Sequence, residues 1–280
     1  MRTRADRCPG VLRPWVADDG LLVRLRLVGG QLPIAALTRL LQVSAEFADG
    51  SVYLTTRANL QLRGLANHRY QLTPAAEAAL ESTGLLPSRS HELVRNILVS
   101  PQTGYCGGLV DLRPVAARLD ALLCAEPRLA QLPGRFLFVL DDGRGDLLNR
   151  STDLGLVALS RTAAQLRIGR DWGPVIKIGD AADRLVQLAG AFQQARGVGP
   201  DAPWHVHELP ESLHVGAVAD PRVPVAAGAL AFGTVPGGTH VHVPGGVLTP
   251  QRARPLLEHP ELVITPWQGV FIPAAQEANQ

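Results

Sequence analysis

The chain is nearly without lysine. Lys177 is the only one among 280 residues, so almost every positive charge is an arginine. Aromatic residues are scarce, at 5%. With few rings to stack bases and basic residues spread along the chain, nucleic-acid binding is not expected. Neither sign of charge is in excess: the formal net charge is +2, which gives no global field for nucleic acid or a membrane surface. Cysteine is limited to Cys8, Cys106 and Cys124. An odd, widely spaced set points to a reducing cytoplasm and not to a disulfide framework. The apolar stretch at 223–235 is too short, and too rich in Gly and Pro, to span a bilayer. Residues 1–10 carry charge but no apolar core, so no secretory signal is expected. There is no Gly-rich phosphate loop, nucleophile elbow or CxxC pair.

What is present centres on residues 54–64, Leu-Thr-Thr-Arg-Ala-Asn-Leu-Gln-Leu-Arg-Gly. From residue 57 the side chains alternate. Arg57, Asn59, Gln61 and Arg63 fall on one side, and Ala58, Leu60 and Leu62 on the other. A period of two predicts a half-buried strand. Two guanidiniums and two amides on its open face suit a ligand rich in carboxylates. The alternative is a solvated strand face whose arginines reflect the chain's preference for Arg over Lys.

Residues 20–28 predict an earlier strand with Arg24 and Arg26 on one face, stopped by Gly29-Gly30. Residues 33–47 predict a helix with Pro33 near its first turn and a stripe of Leu37, Leu40, Leu41 and Ala45. This strand–helix–strand unit recurs at the C-terminus. Residues 237–246 mirror the first strand and its Gly-Gly stop, Thr249-Pro250 opens a helix, and residues 262–273 mirror the second strand. In register, Thr55 matches Thr265, Arg57 matches Trp267, Asn59 matches Gly269, and Arg24 and Arg26 match His240 and His242. Two such halves predict a pseudo-two-fold pair, with the ligand-facing chemistry in the first.

Between them lies a different block: helices over 73–86, 112–132 and 180–196, and strands over 94–99, 135–140, 153–159 and 166–169. Asp141, Asp142 and Asp146 read as turn formers, because their spacing matches no metal loop. His205 with His207, and His240 with His242, would each share a strand face; four histidines could ligate a metal, but no supporting carboxylate or cysteine spacing accompanies them. Polar strand faces are therefore favoured, and no metal ligand is assigned.

The half carrying 54–64 resembles the ferredoxin-like half-domain of the nitrite and sulfite reductase superfamily. Arg95 to Pro101 (Arg-Asn-Ile-Leu-Val-Ser-Pro) resembles that superfamily's Arg-Asn segment, and Leu132-Pro133-Gly134-Arg135-Phe136 resembles its Leu-Pro-x-Lys/Arg-Phe strand. The leader Cys8-Pro9-Gly10, the turn at 141–146 and Thr265-Pro266-Trp267-Gln268-Gly269 are most similar to the precorrin-3B synthase family. The resemblance implies an α+β protein of two ferredoxin-like half-domains, at 1–72 and 237–280. These flank a sulfite-reductase-type α/β domain at 73–200, with a linker at 201–236.

It further implies an oxidoreductase of cobalamin biosynthesis acting on a precorrin, a tetrapyrrole with carboxylate arms. Arg57 and Arg95 resemble arginines that face the tetrapyrrole and bound anion, with Asn59, Gln61, Arg63, Arg24, Arg26 and Asn96 beside them. Arg135 resembles the first of two basic residues; the second position is Leu137, which argues against sulfite or nitrite reduction. The family implies a siroheme-like tetrapyrrole or precorrin and a 4Fe–4S cluster held by four cysteines in a later domain. The three cysteines here have neither the number nor the spacing. Three explanations follow: a chain whose cluster-bearing remainder is separate, a tetrapyrrole binder without turnover, or a metal on the histidines.

Overall fold

A computed structural model describes residues 6, 8–199 and 201–274. In the first half, β1 (Trp15–Ala17) and β2 (Gly20–Leu25) are followed by β3 (Gln31–Pro33), α1 (Ile34–Phe47), β4 (Val52–Leu54) and β5 (Leu60–Leu65). The middle block holds α2 (Pro74–Ser82), β6 (Ile97–Val99), α3 (Arg113–Ala125), β7 (Phe138–Asp141), β8 (Leu154–Ala158), β9 (Ala163–Ile168), β10 (Asp171–Lys177) and α4 (Ala181–Arg196). The second half adds β11 (Gly233–Val235), β12 (Gly238–His242), β13 (Val247–Leu248), α5 (Pro250–Ala253), β14 (Glu261–Thr265) and β15 (Gly269–Pro273). The class is α+β, as the sequence predicts.

The described strands form three five-stranded sheets, in the orders β1-β2-β5-β4-β13, β11-β12-β15-β14-β3 and β10-β9-β8-β7-β6. The first two are built alike, and each half lends the other one short strand. β3 leaves the first half to pair with β14, and β13 leaves the second to pair with β4. The registers agree: Gln31 faces Val263, and Val247 faces Tyr53, its counterpart in the repeat. The Gly-Gly stops make this exchange possible. Gly30 and Gly246 both take positive φ, 73° and 68°. A Cβ on Gly30 would lie 2.2 Å from the Ile264 carbonyl oxygen, and one on Gly246 would lie 2.9 Å from that of Leu54. Only glycine permits so close an approach of two backbones. One apolar core runs through both halves, from Leu21, Leu37 and Leu60 to Leu262 and Val270; a second fills the α/β block around Phe136, Phe138 and Phe192.

Several local expectations are corrected. Residues 54–64 are not one strand. Residues 55–59 form the turn of a β4–β5 hairpin, in which Ala58 takes φ 55° and its N–H bonds the Thr55 carbonyl. The alternation at 57 and 59 is a property of the turn and not of pleating. The same turn recurs at Gln268, also at φ 55°. The earlier strand stops at Leu25, before Arg26, because a tight turn begins at Val28. Ala45 is exposed and Val43 takes its place on the buried face of α1. β10 has no alternation to announce it; its strand is bulged between Trp172 and Val175. Residues 201–236, the expected linker, make backbone contacts of their own. They lie across the α/β block through Ala217 N–H to the Trp172 carbonyl and Ala227 N–H to the Gly145 carbonyl. No described helix is long and apolar enough to cross a membrane.

Candidate functional site

β2 and β5 pair so that Arg24 stands directly opposite Gln61. The guanidinium donates from Nε and Nη2 to the Gln61 Oε1, at 3.0 and 2.5 Å. Burial holds Arg24 below the ordinary arginine range, and the nearby charges of Arg57 and Arg135 press in the same direction. Arg57 reaches across from the hairpin turn and donates from Nη1 to the Arg135 carbonyl, at 3.0 Å. Arg135 lies over the Trp204 ring, 5.3 Å from its centroid. Among the described residues, neither Arg24 nor Arg57 has a carboxylate partner, and the only one near Arg135 is Asp6, at 4.0 Å. Three guanidiniums thus gather from β2, the β4–β5 turn and the strand leading to β7, with almost no negative charge to balance them. Such a grouping carries a repulsive cost that an anionic ligand would relieve.

Beneath it sits a polar layer. Arg26, only 3% exposed, donates from Nε to the Asn96 Oδ1 and from Nη1 to the Pro9 carbonyl. Its Nη2 is buried and has no hydrogen-bond partner among the described residues. Burial, with Arg24 beside it, pulls Arg26 down to about 10. Asn59 is buried too: its Oδ1 accepts the Leu27 N–H, and its Nδ2 donates to Asn96. Asn96 donates in turn to the Leu93 and Gly134 carbonyls. Asn59 and Asn96 therefore lock the first half onto the α/β block and do not face open space. Arg95 is also engaged elsewhere, in a two-pronged ion pair with Asp120 of α3, at 2.6 and 2.8 Å. Arg63 donates to Asp19 at the sheet's outer edge, at 3.1 Å. Of the nine residues expected at a ligand face, Arg24, Arg57, Gln61 and Arg135 come together; Arg26 lies under them, and Arg63, Arg95, Asn59 and Asn96 are spoken for.

Cys8 belongs to this region, although a lone cysteine in a leader gave no such signal. It is buried, and a Cβ added to Gly134, the residue before Arg135, would lie 3.6 Å from its Sγ. Burial, and then the Asp6 carboxylate, push its thiol up, while Arg26 and Arg24 pull the other way. Behind Trp204, His205 sets its Nδ1 at 3.2 Å from both oxygens of Asp153. The segment is a short 3-10 turn over Val206–Glu208 and not the expected strand, and the His205 and His207 rings stack at 5.4 Å.

The aspartates at 141–146 do build a turn, as their spacing suggests. Asp141 accepts the N–H groups of Gly143, Gly145 and Leu147, and Asp142 pairs with Arg144. No three His, Cys, Asp or Glu side chains among the described residues are grouped to hold a metal ion. Cys8, Cys106 and Cys124 lie in separate places in the fold, so this thiol set does not fit a four-cysteine cluster.

Residues 17–71 match the model of the nitrite/sulfite reductase ferredoxin-like half domain. The chain is 31% identical over 166 residues to a precorrin-3B synthase of Sinorhizobium sp, covering 57% of this chain and 34% of that protein. It is 30% identical over 137 residues to a ferredoxin–nitrite reductase of Leptolyngbya laminosa, covering 46% and 26%. These matches span about a third or less of the curated relatives. The fold is shared with the Mycobacterium tuberculosis NirA protein, at a TM-score of 0.70 and 17% identity over 96% of this chain and 60% of that one.

Proposed function

We propose that the chain, whose residues 17–71 match the nitrite/sulfite reductase ferredoxin-like half domain, binds a polycarboxylated tetrapyrrole of the precorrin class. It would do so as the substrate-holding part of a precorrin-3B synthase-like oxidoreductase. The observation that carries this reading is the grouping of Arg24, Arg57 and Arg135 without matching carboxylates. A macrocycle fringed with carboxylates places several negative charges where this face offers several forked donors. Leu137, buried where the superfamily pattern has a second cation, favours a large organic anion over sulfite or nitrite. A siroheme-like or precorrin ring suits the donors present. The cysteines do not suit the cluster, so a cluster-bearing chain or segment is proposed as the partner in turnover. The lack of a grouped thiol set equally supports a second reading, a tetrapyrrole carrier without turnover; conversion of bound ligand when the cluster-bearing partner is added separates the two.

The test is an anaerobic titration with a uroporphyrin-type octacarboxylate. Removing one charge-assisted contact costs about 1.5–3 kcal/mol, on the order of tenfold or more in affinity. Arg57→Ala and Arg24→Ala are expected to weaken binding by that much, and Arg63→Ala, whose partner is Asp19, to leave it unchanged. Absence of binding by folded wild type, or equal binding by all three variants, refutes the reading.

A further inference from the structure

The backbone around Arg135 is pinned and its side chain is open. Asp6 Oδ2 accepts the Gly134 N–H at 2.6 Å, the Arg135 carbonyl accepts Arg57 Nη1 at 3.0 Å, and Asp153 Oδ2 accepts the Leu137 N–H at 2.9 Å. Phe136, between Arg135 and Leu137, is fully buried against Phe138 and Phe192. The Arg135 side chain, by contrast, is 49% exposed, and among the described residues its guanidinium makes no hydrogen bond. Asp6, 4.0 Å away, already accepts the Cys8 and Gly134 N–H groups. A long side chain left this free loses rotamer freedom when it pairs with a ligand, and that loss subtracts from affinity.

Trp204 limits that freedom. Its ring lies against the Arg135 guanidinium, with the centroid 5.3 Å from Cζ. The ring belongs to a segment that is itself tied down. The Pro203 carbonyl accepts Arg196 Nε from the end of α4, at 2.8 Å. Glu208 Oε2 accepts the Trp204 N–H at 2.6 Å, within a capping box in which the His205 side chain accepts the Glu208 N–H. Asp153 Oδ1 accepts the Val206 N–H at 2.9 Å. The buried Asp153 therefore takes one N–H from the segment that carries Trp204 and one from the segment that carries Arg135. Trp204 lies in neither apolar core, so filling a core does not account for its place.

We infer that Trp204 is a positioning residue for the ligand: it holds the Arg135 guanidinium so that the donors along its edge meet a carboxylate of the macrocycle. This deepens the tetrapyrrole reading and rests on it. A guanidinium stacked on an indole keeps its N–H groups in its own plane, and that planar fork is what a carboxylate accepts two-pronged. The whole face follows one rule. Arg24 is held by the Gln61 amide, Arg57 by the Arg135 carbonyl and Arg135 by the Trp204 ring. Neutral partners orient a cation without cancelling its charge, which a carboxylate partner would do.

The experiment is the anaerobic titration of the whole chain with the uroporphyrin-type octacarboxylate. It compares wild type, Trp204→Leu, Trp204→Phe, Arg135→Ala and the double variant of Trp204→Leu with Arg135→Ala, with folding checked by circular dichroism. Trp204→Leu is expected to weaken binding by about three- to tenfold, the cost of ordering one long side chain. Trp204→Phe keeps a ring and is expected to recover most of that loss. With Arg135 already removed, Trp204→Leu is expected to weaken binding no further, because its effect passes through the guanidinium. Wild-type affinity in Trp204→Leu, an equal loss in Trp204→Phe, or the same loss with and without Arg135 overturns the inference; the tetrapyrrole site still stands if Arg57→Ala weakens binding. A measurement on unliganded wild type decides the matter even where Trp204→Leu does not fold. The Arg135 Nε–H proton resonance, assigned by its absence from Arg135→Ala, is expected to be shifted upfield by the indole ring, and an unshifted resonance overturns the inference. No binding by wild type overturns both readings.

Discussion

Arg95 offers the sharpest separation of a structural role from a ligand role. The superfamily resemblance puts it against a bound anion, yet the structure gives it to Asp120. The pair is two-pronged, Nε to Oδ1 at 2.6 Å and Nη2 to Oδ2 at 2.8 Å, with side-chain exposures of 7% and 18%. Arg95→Ala would strand the Asp120 carboxylate against the protein. Breaking a buried pair from one side costs roughly 3–5 kcal/mol, and the partial exposure of Asp120 argues for the lower end, about 3 kcal/mol. In a protein of this size that is a fall in Tm of roughly 6–12 °C. Thermal unfolding followed by near-ultraviolet circular dichroism measures it. Removing both partners should recover part of the loss, because the stranded charge goes with its partner. A variant that unfolds within about 2 °C of wild type yet fails to bind the octacarboxylate would refute the reasoning and return Arg95 to the ligand.

Two further outcomes follow from the strand exchange and the aspartate turn. Gly30→Ala meets the Ile264 carbonyl at 2.2 Å, whereas Gly246→Ala meets that of Leu54 at 2.9 Å. The left-handed backbone alone costs about 1–2 kcal/mol at either position, so both should lower the urea midpoint and Gly30→Ala should lower it more. A milder effect at Gly30 contradicts the close crossing. Asp146 is raised from 3.8 to about 7 by burial, with Asp141 adding to the rise, against the hydrogen bond it accepts from Ser100. A carboxyl raised in the folded state adds stability that is full below its unfolded value and is lost as pH rises through the folded value. Wild type should therefore lose stability relative to Asp146→Asn between about pH 4 and pH 7. Parallel pH profiles of the two urea midpoints would count against that burial.

The repeat was legible because its register survives in the side chains: Thr55 with Thr265 and the paired glycine stops are matched in sequence and in backbone angle. The exchange of β3 and β13 was not legible. Strands of three and two residues carry no periodicity, and their partner is set by where a glycine turn aims them. At the site, an alternating pattern placed Arg57 and Gln61 together for the wrong local reason, since one belongs to a turn and the other to β5. Arg95, Asn59 and Asn96 show the limit more plainly. Burial and long-range partners such as Asp120, 25 residues away, decide whether a polar group faces a ligand or holds two elements together. No local pattern carries that information. The place of Cys8 was hidden for the same reason, because Gly134 comes to it from the α/β block.

The pseudo-symmetry also explains why one half holds the candidate site and the other does not. Arg24 opposite Gln61 in the first half is His240 opposite Phe271 in the second, at the same register. There the linker returns to fill the face: Phe232 lies 4.5 Å from both His240 and His242. His240 is buried, which holds it below the ordinary histidine range, and it is bonded at Nε2 to Thr265 at 2.9 Å. Rings packed against the chain's own Phe232 fill the place that the guanidinium of Arg24 holds in the first half. In the first half Arg24, and Arg57 beside it, have no carboxylate partner among the described residues. Like charges held together at a cost persist in a fold when something outside it balances them. If the second face is closed by packing, swapping Phe232→Ala should loosen β11 and β12 while leaving octacarboxylate affinity at the first face unchanged. The division of labour between the halves therefore lies in their side chains, laid on one repeated backbone.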